Sequence, residues 1–141
     1  VKHAGDWYRF DTLQMSPGVA HPIPLLVGGS SDPALQRAAR IGDGWCGPPC
    51  SLADNIAHRA KIERELGLVR RDATGNTARN TARNNAPFTY WVRSNEATSR
   101  DLIVRYRDAG FEHLIVALPL TLDSMAGKEE WLAQVADWYR E

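Results

Sequence analysis

The stretch HPIPLLVGGSSDPALQRAARIGDGW, residues 21–45, joins an apolar run to two glycines and then to a helical pattern. An apolar run closed by glycines is typical of a buried strand, here near residues 25–27. Ser31, Asp32 and Pro33 then supply an N-cap candidate and a proline for the first helical position. The segment therefore predicts a strand, a tight turn and a helix over residues 33–41.

The order of strand then helix recurs directly after this segment. Glycines bracket IGDGWCG, which predicts a brief strand around residues 44–46. Ser51 opens the next helix, and Asp54 stands three residues later as in a capping box. Gly67 is placed where a helix commonly ends. Residues 1–20 have no sustained periodicity and predict an extended or looped lead-in.

A polar segment, residues 69–86, interrupts the pattern with the near-duplication GNTARNTARNNA. Its composition lacks the apolar side chains that a core needs, so it predicts a mobile surface loop. The aromatic and β-branched run PFTYWVR then predicts a strand near residues 88–93.

The last third of the chain repeats the alternation once more. A helix capped by Ser94 or Asn95 is predicted to run to about Ala109 and to end at Gly110. FEHLIVALP predicts a buried strand near residues 112–118, and KEEWLAQVADWYRE predicts an amphipathic final helix. Within that strand, we interpret His113 as a structural, hydrogen-bonded histidine in preference to a catalytic one.

Alternating strands and helices predict a parallel sheet with right-handed crossovers. In such sheets ligands bind at the carboxyl ends of the strands, which is where the two glycines fall. Antiparallel pairing among the first, second and fourth strands would contradict this architecture.

Composition excludes several classes of partner. The 141 residues suffice for one domain, and 17 Lys plus Arg balance 17 Asp plus Glu, so the charge indicates neither nucleic acid nor a membrane surface. The apolar runs are too short to span a bilayer. Cys46 and Cys50 have no further ligands at metal spacing, so we predict no metal site and a reducing, cytoplasmic compartment. A small-molecule substrate is the remaining expectation.

The two glycines of LLVGGSS can be explained by either of two roles. A helix N-terminus offers unpaired N–H groups to an anion, and glycines beside it would let a phosphate approach. Alternatively, the glycines only permit a tight turn. Neither a dinucleotide-binding fingerprint nor a Walker A pattern is present, and the residues alone leave both readings open.

The ordered combination of a strand ending in GG, small polar residues, an RAAR run and GDGW resembles the C-terminal half of luciferase-like monooxygenases, which are flavin- or deazaflavin-dependent (β/α)8 barrels. YRFDTLQMSPGVAHPIP and DAGFEHLIVAL are similar to neighbouring parts of that family. The resemblance implies an α/β fold in which residues 1–141 form one domain, the C-terminal portion of a TIM barrel.

The resemblance also implies a cofactor, either FMN or coenzyme F420. The residues that carry the resemblance are more similar to the deazaflavin branch of the family. Gly28 and Gly29 would lie against the cofactor phosphate or ribityl chain, and the strand that follows would face the pocket. The implied cofactor-binding residues are Gly28, Gly29, Ser30, Ser31, Gly44, Trp45 and Cys46.

The resemblance implies that the protein is an oxidoreductase. This chain would form the side of the barrel that binds the cofactor phosphate. The alternatives are a non-catalytic phosphate-binding α/β module and a structural half-barrel. The family keeps much of its proton-transfer chemistry in earlier strands, so no catalytic residue is assigned. We expect the missing N-terminal half or a second copy of the chain as a partner. Isolated, the chain is expected to self-associate and to show no turnover.

Overall fold

The computed structural model describes residues 2–13, 23–71 and 87–140. The strands are β1 His3–Ala4, β2 Arg9–Phe10, β3 Leu26–Gly28, β4 Gly44–Cys50, β5 Thr89–Ser94 and β6 His113–Ile115. The helices in these ranges are α1 Asp32–Ile41, α2 Leu52–Arg71, α3 Arg100–Asp108 and α4 Met125–Arg140.

Strands β3 to β6 form a four-stranded sheet in chain order, and every pair in it is parallel. The predicted α/β class with parallel strands is thereby confirmed. Helix α1 packs on α2, and α3 packs on α4. Arg59 of α2 donates to the carbonyl of Ala109 just after α3, at 3.2 Å. Helices α1, α2 and α3 therefore pack on one face of the sheet through core residues, and α4 packs on α3.

The hydrophobic core lies between this helix layer and the sheet. Val27, Trp45 and Val92 point into it from three strands, and Leu35 and Ile62 meet them from α1 and α2. Because side chains alternate across a strand, the residues between these positions point away from the helices. We call that side the open face; it carries Gly28, Cys46, Trp91 and His113.

The start of α2 agrees with prediction and its end does not. The Ser51 hydroxyl donates to the Asp54 carboxylate at 2.7 Å and accepts from the Asp54 N–H at 3.1 Å, as a serine N-cap should. The helix then continues through Gly67 to Arg71. Leu66 packs against the core, and that contact outweighs the roughly 1 kcal/mol by which a glycine disfavours a helix interior. Of the predicted loop 69–86, residues 69–71 are helical and the remainder lie outside the described residues.

Helix α3 begins later than predicted. Neither Ser94 nor Asn95 caps it; the N-cap is Ser99, whose hydroxyl accepts from the Leu102 N–H at 3.2 Å. Ser94 instead ends β5. The predicted stop at Gly110 is confirmed, because this residue follows the C-cap with φ +77°.

Two predicted buried strands are shorter and more exposed than expected. Strand β6 comprises three residues rather than 112–118, and Ile115 is exposed, because β6 is an edge strand of the sheet. In β3 only Val27 is buried, while Leu26 lies on the open face. The brief strand at 44–46 extends to Cys50 through an irregularity in its pairing with β5.

Residues 2–13 of the predicted lead-in are more ordered than their sequence predicts, and its remaining residues lie outside the described residues. Strands β1 and β2 form a short antiparallel hairpin in which His3 pairs with Phe10. Among the described helices, none is both long and apolar enough to cross a membrane.

Candidate functional site

The glycine turn lies at the carboxyl end of β3, between the sheet and α1. Gly29 has φ +103°, and a Cβ added there would come within 2.9 Å of the Ala34 Cβ. The turn itself therefore requires glycine at position 29. Gly28 differs, because its backbone is outside the left-handed region and an added Cβ would meet only the Cys46 carbonyl, at 3.6 Å. Gly28 leaves open space on the open face.

Replacing Gly29 by alanine is expected to lower the free energy of unfolding by about 1–2 kcal/mol, because a side chain is strained at positive φ. Replacing Gly28 by alanine is the matched control, with a change expected within about 0.5 kcal/mol. Urea unfolding followed by circular dichroism measures both. Equal effects at the two positions would contradict this division of roles.

Trp45 supports the turn from the core side. Its indole N–H donates to the Gly29 carbonyl at 2.7 Å, and its ring, fully buried, lies edge-on to His58 at 5.6 Å between centroids. The side chain thus faces the helix layer and not the open face. Trp45 was predicted to bind the cofactor, but it contacts the turn only through its hydrogen bond to the Gly29 carbonyl.

Gly44 is also separated from the turn. It is the first residue of β4 and pairs with Leu26, two residues before the end of β3. The side chains of Leu26 and Thr89 cover it so closely that an added Cβ would clash with both. Cys46, by contrast, pairs with Gly28 and lies beside the turn on the open face.

Ser30 and Ser31 follow the glycines and lead into α1. Ser31 is the N-cap by its backbone conformation, and its carbonyl accepts from the N–H groups of Ala34 and Leu35 at 2.9 and 3.0 Å. Its hydroxyl makes no capping hydrogen bond. The hydroxyl is thus not committed to holding the helix end.

Asp32, the first residue of α1, places a carboxylate near this turn. Lys61 of α2 donates to it at 2.8 Å. That hydrogen bond, together with the charge of Lys61, holds the pKa of Asp32 below its usual value. A carboxylate paired with an ammonium group repels an approaching anion less than a bare one does.

The register across the sheet adds two residues that the sequence analysis did not select as site residues. Gly28, Cys46, Trp91 and His113 are successive partners across the four strands, so they form one row on the open face. The Trp91 and His113 rings are stacked, with centroids 4.2 Å apart and an angle of 9° between planes. Each of the two residues alternates with apolar neighbours, which indicates that it points away from the core. The sequence does not show that β5 pairs with β6 in the register that brings the two rings together.

The two cysteines are free thiols. Burial raises the pKa of the Cys50 thiol, and the nearby Asp54 carboxylate raises it further. Cys50 is therefore a protonated, weakly nucleophilic thiol at neutral pH. Within the described ranges, no three His, Cys, Asp or Glu side chains are grouped so as to hold a metal ion.

No family model matches the chain. It is similar to proteins of Mycobacterium bovis and of two strains of Mycobacterium tuberculosis, each named as an uncharacterized protein and each 32% identical over 123 residues. The match covers 84% of this chain and 37% of each relative. The chain thus spans little more than a third of the length of these relatives, and their names carry no activity.

Proposed function

We propose that this chain is the C-terminal portion of a (β/α)8 barrel in an oxidoreductase of the luciferase-like monooxygenase type. In this proposal the turn of residues 28–31 binds the phosphate of FMN or coenzyme F420, and a small molecule is the substrate. The observation that carries the proposal is the space at Gly28, which opens at the carboxyl end of a parallel strand with no steric need for glycine at that position.

The order of the strands supports a barrel. In a doubly wound sheet the strand order reverses and helices cover both faces, whereas in a (β/α)8 barrel the strands follow chain order and the helices form an outer layer. Strands β3 to β6 follow chain order, and helices α1 to α3 pack on one face of the sheet. The open face would then be the inner wall of the barrel.

The two edge strands of the sheet support the proposal that strands from a partner complete the barrel. Among the residues that the structure describes, strands β3 and β6 each have one neighbour in the sheet, and an edge strand offers unpaired backbone groups. Barrel closure would pair both edges with further strands. We propose that these come from an N-terminal half of the barrel, or from a second copy of the chain.

The chemistry of the turn supports an anion. Gly28 allows close approach, the N-terminus of α1 presents a partial positive charge, and the Ser31 hydroxyl is not used as a cap. Lys61 offsets the charge of Asp32. The residues that would transfer protons during hydride chemistry are not assigned in this chain.

Phosphate binding can be tested by comparing FMN with riboflavin, which has the same ring and no phosphate. We expect the chain to bind FMN at least about tenfold more tightly, because charge-assisted hydrogen bonds to the phosphate contribute on the order of 1.5–3 kcal/mol. Fluorescence titration of each ligand measures this ratio, and coenzyme F420 is titrated in parallel.

Ser31→Asp is the informative variant for the same experiment. Aspartate caps a helix as well as serine does, so the fold should be retained, but its charge should repel the phosphate and remove most of the FMN advantage. Riboflavin binding should not change. Equal affinities for FMN and riboflavin in the unsubstituted chain would overturn the phosphate site, and failure to bind any cofactor would favour a structural half-barrel. Binding without hydride transfer after addition of the N-terminal half would favour the non-catalytic module.

A further inference from the structure

We propose that Arg93 binds a carboxylate group of the substrate at the carboxyl end of β5, and that the substrate is therefore a small organic acid with an apolar body. This inference rests on the proposed function, because it names a class of substrate for that activity. It concerns a residue that lies outside the glycine turn.

Arg93 lies on the open face, beyond the row of Gly28, Cys46, Trp91 and His113. It follows Trp91 by two residues in β5, so side-chain alternation places both residues on the same face. Two residues of a strand span about 7 Å, so Arg93 lies that much nearer to the carboxyl end of the sheet than the row does. Its backbone is also about two strand spacings, or roughly 10 Å, from β3. The position of Arg93 is therefore distinct from that of the glycine turn.

The guanidinium of Arg93 has two terminal amino groups available for a ligand. Its Nε donates to the Gly47 carbonyl of β4 at 3.4 Å, and the described ranges show no other hydrogen bond of this side chain. Within the same ranges Arg93 has no acidic partner; Glu96, the nearest acidic residue along the chain, is bound to Arg105. The Arg93 side chain is exposed. Two uncommitted Nη groups in one plane match the two oxygens of a carboxylate.

The backbone that carries Arg93 is fixed from the core side by a buried polar network. Asn55 of α2 donates from Nδ2 to the Arg93 carbonyl at 3.1 Å and to the Tyr106 hydroxyl at 3.0 Å. The Tyr106 hydroxyl in turn donates to the Cys50 carbonyl at 3.4 Å. Asn55 and Tyr106 are fully buried, so the network ties the carboxyl ends of β4 and β5 to two helices. The arginine side chain therefore extends from a rigid base, as a binding residue should.

The surroundings of Arg93 favour a ligand with one negative charge and an apolar body. Arg93 pairs with Ile115 of β6, which places an exposed apolar side chain beside it on the same face. Among the residues of strands β3 to β6, Arg93 is the one Lys or Arg. One guanidinium balances the charge of one carboxylate, whereas a phosphate group carries up to two charges and would be left partly unbalanced. A small organic acid with an apolar body fits this combination.

The test is the binding of benzoate and of benzamide to the 141-residue chain. Benzamide is a neutral molecule of nearly the same shape, so the ratio of the two affinities isolates the effect of the charge. We expect benzoate to bind about tenfold more tightly, a factor that charge-assisted hydrogen bonds to a carboxylate can supply. NMR titration that follows the arginine Nε–H resonances measures both affinities and identifies the arginine that responds.

Three variants assign the preference for benzoate to Arg93. Arg93→Gln should remove the preference, because glutamine has neither the charge nor the planar fork. Arg93→Lys should retain part of it, since an ammonium group keeps the charge without the bidentate geometry. Arg40→Gln, at an exposed position of α1, makes the same change in net charge and is the matched control, which should leave the ratio unchanged. Circular dichroism and the urea midpoint establish that each variant is folded.

The outcomes separate this inference from the proposed function. If the chain binds neither probe, binds both equally, or keeps its preference in Arg93→Gln, the carboxylate site is wrong, and the phosphate turn still stands wherever FMN binds more tightly than riboflavin. If the preference depends on Arg93 while FMN and riboflavin bind equally, the carboxylate site stands and the phosphate turn is wrong. If Arg93→Gln abolishes the advantage of FMN over riboflavin, Arg93 serves the cofactor phosphate and the inference is overturned.

Discussion

Gly28→Val is expected to weaken FMN binding by about 100-fold, near the upper end of the cost of overpacking a filled site. The valine methyl groups would occupy the space that Gly28 leaves on the open face beside the proposed phosphate turn. Valine is favourable in a strand, and its Cβ would meet only the Cys46 carbonyl at an ordinary distance. Binding should therefore be lost while the fold is retained.

The reason for this expectation is space and not backbone strain. The residue with positive φ at this turn is Gly29. Fluorescence titration gives the affinity, and the urea midpoint should stay close to that of the unsubstituted chain. Gly29→Ala is the contrasting control, since it should lower stability. Unchanged FMN affinity in folded Gly28→Val would mean that no ligand occupies this space.

Trp45→Ala is expected to lower the free energy of unfolding by about 3–5 kcal/mol, the usual cost of truncating a buried tryptophan. The ring is fully buried between β4 and α2, and its N–H is the donor that holds the Gly29 carbonyl. Truncation would leave a cavity under the turn and an unpaired carbonyl beside it. Urea unfolding measures the change in stability.

Trp45→Phe separates packing from hydrogen bonding. Phenylalanine retains most of the apolar surface but cannot donate to Gly29, so this variant should lose only about 1–2 kcal/mol. If the alanine variant lost less than about 1 kcal/mol, Trp45 would not be a core residue. If both variants unfolded as easily as each other, the hydrogen bond would dominate the effect.

Local signals gave reliable predictions because they need only neighbouring residues. The capping pattern at Ser51 with Asp54, the glycine that ends α3 at Gly110, and the alternation of strands and helices all appear in the structure. Where two local signals compete, sequence alone did not choose correctly. Ser94, Asn95 and Ser99 are all acceptable caps, and the choice of Ser99 depends on how far β5 pairs with its neighbours.

The candidate site also has some features that contiguous residues predict and others that depend on the packing of the chain. The sequence by itself determined that two glycines follow a strand and precede a helix, because those residues are contiguous. Only the tertiary structure decided that Gly29 makes the turn while Gly28 leaves space, that Trp45 points into the core, and that Gly44 lies at the other end of its strand.

The row of Gly28, Cys46, Trp91 and His113 belongs wholly to tertiary structure. Each strand shows which of its residues share a face, because side chains alternate along it. The alignment of one strand with the next depends instead on the helices that connect them and on the packing of the core between them. A shift of one residue would send Trp91 to the opposite face, and no signal within its own strand excludes that shift.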